Sequence, residues 1–184
     1  MPEIKVKLSS VIYFFLILLS GGVFGAVSAL AAAAVHEAGH LAAMRACGCG
    51  VKSITLYPFG ADIRESGGVR SYKTDMLVAL AGPLANLAAA LFVFGLFPLF
   101  SVYCVVYALF NLLPVRMLDG GRALESLLLC RFEQHTADSV MKAAAAVTLV
   151  PLWVASVYLL LFYPHETNPT LFLLCLFLFT STFL

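Results

Sequence analysis

Apolar runs recur along this chain and continue to its last residue. A helix that crosses a bilayer needs roughly 20 such residues. Six segments read as spans, the first and last of them short. They run from about Leu8 to Leu19, Val23 to Cys47, Met76 to Pro98, Ser101 to Leu113, Ala143 to Tyr163 and Thr170 to Leu184. A secretory signal does not explain a pattern that persists to the end of the chain. Only 11% of the residues are charged, against about 25% in soluble domains. The expected class is an all-α polytopic membrane protein, with residues 1–184 forming one domain and the lipid bilayer as its first partner.

The charges orient those spans. With six of them, all 11 Lys and Arg residues fall on one side, before the first span or around the two long polar connections. The positive-inside rule makes that side cytoplasmic. A multi-pass protein of the cell membrane is expected, with both termini cytoplasmic. A net charge of +1 and the lack of an arginine-rich tract give no case for nucleic acid. Five cysteines, an odd number scattered through apolar sequence, are no disulfide framework. The stretch Cys47-Gly48-Cys49-Gly50 reads as small residues turning the chain out of the membrane.

The first long connection has its own pattern. Val51 to Tyr57 is rich in β-branched and aromatic residues, Pro58-Phe59-Gly60 interrupts it, and Ala61 to Glu65 follows. That order predicts two short strands with a tight link, a small membrane-edge β-hairpin or sheet after the second helix.

Three polar residues stand out within the apolar second span. His36-Glu37-Ala38-Gly39-His40 matches H-E-x-x-H. On a helix, His36 and His40 share one face, a turn apart. Two imidazoles so placed can hold one zinc ion, with Glu37 beside them as general base toward an attacking water. Ionisable groups in a spanning segment are costly and mark function. Zinc sites of this type use a third protein ligand. Asp119 is the candidate, at the cytoplasmic end of the fourth span, after Pro114 has broken the helix and before Gly120 and Gly121. A helix-capping role is its simpler alternative. His135 reads as a surface histidine, His165 lies toward the opposite face, and Glu125 and Glu133 sit beside no helix break. A third cluster, Ala81-Gly82-Pro83-Leu84-Ala85-Asn86, either kinks and packs a helix or presents Asn86 as a donor to the site or its substrate.

These segments together resemble the site-2 protease family, the intramembrane zinc metalloproteases of peptidase family M50. The similarity is to the compact branch typified by stage IV sporulation protein FB. HEAGH at 36–40, LYPFG at 56–60, AGPLAN at 81–86 and NLLPVRMLDGG at 111–121 are similar to family segments and come in the same order. The resemblance implies one Zn2+ ion on His36, His40 and Asp119, with Glu37 as catalytic base. It implies a zinc metalloendopeptidase that cuts a membrane-embedded or membrane-proximal segment of a protein substrate and releases a fragment to the cytoplasm. Asn111 corresponds to a family asparagine linked to substrate engagement. The segment with Phe59 and Gly60 resembles a membrane-edge sheet whose edge takes a substrate strand, and Asn86 joins the expected substrate contacts. Met117 stands where that branch has a proline two positions before the aspartate, and the CBS domain that follows the spans there is absent. A homo-oligomer or a regulatory membrane protein as partner stays open. A membrane metal transporter and a catalytically inactive scaffold are the competing functions. The lack of acids in the outer halves of the spans weighs against the first, and Glu37 against the second.

Overall fold

The computed structural model describes residues 3–6, 8–49, 51–57, 60–65, 71–162 and 170–183, with side chains over 22–49, 71–162 and 171–183. Two compact units divide the chain, residues 1–111 and 112–184.

In the first unit, β1 (Glu3–Val6) precedes α1 (Leu8–Ala46), followed by β2 (Val51–Tyr57), β3 (Gly60–Glu65), α2 (Tyr72–Val93) and α3 (Pro98–Asn111). The strand backbones form one sheet in the order β1-β2-β3. β1 runs parallel to β2, with Ile4 opposite Ile54, and β2 antiparallel to β3, with Ile54 opposite Ile63. α1 is a single helical element broken only at Gly22, where φ is 64° and ψ −177°. That positive φ is one that glycine adopts at little cost. The kink falls between the first two apolar segments, where the sequence separates them, and joins two helical stretches. The end of α1 is sharper. Gly48 has φ 71°. Its N–H donates to Arg45 O at 3.0 Å, and that of Cys49 to Met44 O at 2.8 Å, a Schellman ending. The Cys-Gly-Cys stretch therefore terminates the helix, as expected. At the start of α2, Ser71 Oγ accepts from Lys73 N at 3.3 Å and Asp75 sits in the first turn, where a carboxylate suits the helix dipole.

α1, α2 and α3 pack on one another through small residues. Ala32, Ala90 and Cys104 are buried together, while Phe24 and Phe92 are each 83% exposed. An interior of small side chains beneath a shell of large apolar ones fits helices whose backbones meet closely and whose outer faces meet lipid. Gly39 marks a close approach of α1 to α2. A Cβ there would lie 2.6 Å from Ala81 O and 2.7 Å from Ala85 Cβ. Gly39→Ala is expected to lower stability by about 1–3 kcal/mol, the range for overpacking. Thermal unfolding in detergent would measure it, and an unchanged midpoint would contradict the packing.

The second unit holds α4 (Asp119–Leu129), α5 (Gln134–Phe162) and α6 (Thr170–Phe183). α4 buries Asp119, Gly121, Ala123 and Ser126 and exposes Arg122 and Leu127. Gly120 and Gly121 let its first turn close on the preceding loop: a Cβ at Gly120 would lie 2.7 Å from Leu112 Cα, and one at Gly121 2.7 Å from Arg116 N. Arg116 ties this loop to both following helices, pairing with Glu125 at 3.1 Å and with Asp138.

The expected class, all-α with six transmembrane helices and a hairpin or sheet after the second, is corrected. Among the described residues, three helices are long and apolar enough to cross a membrane: Gly22–Ala46, Tyr72–Val93 and Gln134–Phe162. α3 and α6 are apolar but have 14 residues each, short of the roughly 20 required. Where side chains are described the protein is wholly helical, with six helices and no strand. The membrane-edge hairpin is therefore not supported there as part of a site. Hydropathy counted apolar residues, but helix length is set by where Gly95, Pro98 and the 130–133 turn interrupt the backbone.

Candidate metal centre

H-E-x-x-H lies in the last third of α1, on the face turned toward α2. His36 and His40 are 3% and 7% exposed. Their rings meet edge to face with centroids 4.7 Å apart, and Tyr107 of α3 stands against His36 at 4.9 Å. His40 Nδ1 donates to Val78 O on α2 at 2.7 Å. Because a carbonyl can only accept, that contact places the proton on Nδ1 and leaves Nε2 a bare lone pair when the ring is neutral. His40 Nε2 lies 3.1 Å from His36 Nε2. Two nitrogen ligands at zinc distances of 2.0–2.1 Å, set tetrahedrally, stand about 3.3 Å apart. The pair is therefore spaced to share one ion.

Helix α2 shapes this pocket by lacking a side chain. A Cβ at Gly82 would fall on His40 Nε2, 2.6 Å from His40 Cε1 and 2.9 Å from His36 Cε1. Only a glycine lets α2 come this close to both imidazoles. One turn on, Asn86 is fully buried, with Nδ2 3.4 Å from His36 Nδ1. Its Oδ1 is buried with no hydrogen-bond partner among the described residues.

Asp119 is buried at 7% exposure in the first turn of α4. The N-cap is Leu118, with no side-chain cap. Asp119 is thus the first residue of α4 and not its N-cap, and the helix N-terminus favours its negative charge. Arg122 Nη1 is 3.9 Å from Asp119 Oδ1. Two imidazoles with one carboxylate are a donor set that zinc takes.

The other sequence candidates separate. Glu37 is half-buried beside His36. Asn111 is buried at the end of α3 and donates to Tyr107 O at 3.0 Å. His135 and Glu133 are exposed, and Glu125 is engaged by Arg116. Phe59 and His165 lie outside the described residues, and Gly60 is described as backbone alone. Gly82 and Val78 were missed as site residues. A glycine shows only its absence of bulk in a sequence, and a backbone carbonyl carries no residue-type signal at all.

Comparison with known proteins follows the same motifs. Peptidase family M50 matches residues 24–105, a segment that includes His36, Glu37, His40 and Asn86 and ends before Asp119. A Mycobacterium tuberculosis protein bearing the name zinc metalloprotease Rip3 is 29% identical over 167 residues, covering 79% of this chain and 41% of the relative. Stage IV sporulation protein FB of Bacillus subtilis is 31% identical over 118 residues, covering 58% of this chain and 41% of its own length. The chain thus spans about two fifths of the length of these curated relatives. In structure it is similar to the site-2 protease from Methanocaldococcus jannaschii, with a TM-score of 0.66 and 18% identity over 97% of this chain and 88% of the other. That similarity shows the fold. The resemblance to peptidase family M50 read from the sequence is thus matched over residues 24–105, which hold three of the four segments.

Proposed function

We propose that this chain, with its M50 segment at residues 24–105, is a zinc metalloendopeptidase that cuts peptide bonds within or beside the membrane. The observation that carries the reading is the buried His36–His40 pair, with both Nε2 atoms 3.1 Å apart. His36, His40 and Asp119 would hold one Zn2+ ion. Bound zinc would supply a Lewis acid that brings the pKa of water toward about 7 and polarises a peptide carbonyl. Glu37, one residue around the helix from His36, would take the proton from the attacking water. It would then return that proton to the amine leaving group. Burial keeps bulk water from competing for those transfers.

The substrate class that suits this site is a membrane-embedded or membrane-proximal protein segment, with release of a fragment to the cytoplasm. Asn111, Phe59 and Gly60 are the residues proposed to engage it. Asn86 was expected to address either the site or the substrate, and its contact with His36 supports the site. The same proposal includes a multi-pass placement in the cell membrane, both termini cytoplasmic, with residues 1–184 as one catalytic domain; the three long apolar helices support the membrane placement.

The test of the ligand set is Asp119→Ala. Zinc affinity, measured by competition with a chromogenic chelator, should fall at least about 100-fold, since losing a mere supporting contact costs 10–100-fold. Wild-type affinity in Asp119→Ala would remove Asp119 from the ligands, and a wild type that binds no zinc would end the metalloprotease reading.

A further inference from the structure

Each imidazole is met at Nδ1 by a group of α2. His40 Nδ1 donates to Val78 O at 2.7 Å, and His36 Nδ1 faces the carboxamide of Asn86 at 3.4 Å. The two Nε2 atoms, 3.1 Å apart, are the pair that would share an ion, and a proton on either of them would block that role.

A metal that takes both Nε2 atoms requires His36 to carry its proton on Nδ1 instead. A ring N–H in that position needs an acceptor, and Asn86 Nδ2 cannot be one. The missing acceptor is on the same side chain. Asn86 Oδ1 is fully buried and has no partner among the described residues. Buried polar atoms without partners are rare in native proteins and call for an explanation. Half a rotation of the amide exchanges Nδ2 for Oδ1 opposite His36 Nδ1.

We propose that Asn86 is the positioning residue that sets the His36 tautomer, its amide oriented so that Oδ1 accepts from His36 Nδ1–H. The inference rests on the metalloprotease reading and assigns the support of His36 within it. Val78 O already holds His40 in its metal-ready tautomer, so α2 supplies the supporting acceptor for each imidazole. The two supports differ in kind. A backbone carbonyl is fixed as an acceptor, whereas a carboxamide offers a donor or an acceptor according to its orientation.

The experiment compares zinc affinity of the full chain, purified in detergent, for wild type, Asn86→Leu and Asn86→Asp, by chelator competition. Asn86→Leu keeps the volume and removes the acceptor, so affinity should fall by about 10–100-fold. Asn86→Asp has acceptor oxygens in either orientation, so affinity should be at least that of wild type. A role in packing alone would affect both variants alike. Thermal unfolding of the metal-free proteins checks folding. Wild-type zinc affinity in Asn86→Leu, or an equal loss in both variants, would overturn the proposal. If Asn86→Leu does not fold, Asn86→Asp decides: affinity at or above wild type supports the role, and a ten-fold loss overturns it. A wild type that binds no zinc would instead sink the metalloprotease reading on which the role depends.

Discussion

Glu37→Gln should bind zinc as wild type does and cleave a reconstituted membrane substrate about 10²–10⁴-fold more slowly, the range for loss of a general base. The substitution keeps the shape of the side chain and removes its capacity to take a proton. Glu37 belongs to neither imidazole, so the 3.1 Å relation of His36 to His40 has no reason to change. The split between the two readouts is the informative part. Loss of cleavage with retained zinc assigns Glu37 to chemistry. Loss of both would make it a prop of the metal site. Cleavage at the wild-type rate would refute the proposed mechanism.

Gly82→Ala should have a comparable effect through a different route. The added methyl would fall on His40 Nε2 and within 2.9 Å of His36 Cε1, and these atoms belong to buried rings with little freedom to yield. Either α2 moves away from α1, costing about 1–3 kcal/mol, or the imidazoles rotate off their shared position. In the second case His40 also loses its 2.7 Å bond to Val78 O. Zinc affinity is expected to fall by at least about 10–100-fold, with cleavage lost in parallel. Chelator competition checks the first quantity, and wild-type affinity would show that Gly82 has room to spare. Gly95, with nothing near its would-be Cβ, is the matched control: Gly95→Ala should leave the metal site unchanged.

What was readable beforehand differs from residue to residue. His36, Glu37 and His40 declare themselves through helical spacing, because contacts four residues apart are local and a rare residue type repeated at that spacing stands out. Asp119 was legible as a carboxylate beside a broken helix. Its position in the first turn of α4 was not, because the segment after Pro114 is polar and mixes loop and helix signals. Asn86 was recognised as a polar residue in an apolar helix, but its choice of His36 depends on how α1 and α2 cross. Gly39 and Gly82 set that crossing by what they lack. The spans fared less evenly. Hydropathy found the apolar stretches and the break at Gly22, but it did not give the helix lengths on which spanning depends.

The brevity of α3 has a consequence for the surrounding lipid. Fourteen residues make a helix about 21 Å long, against about 30 Å of hydrocarbon. Tyr107 and Asn111 stand near its C-terminal end. Set across a bilayer, α3 would fall roughly 9 Å short, a deficit that thinning of the adjacent bilayer or drawing headgroups and water inward would meet at fractions of a kcal/mol per Å. Acyl-chain length would then enter the energetics beside these two residues, and the membrane itself would help to set how far water lies from α3.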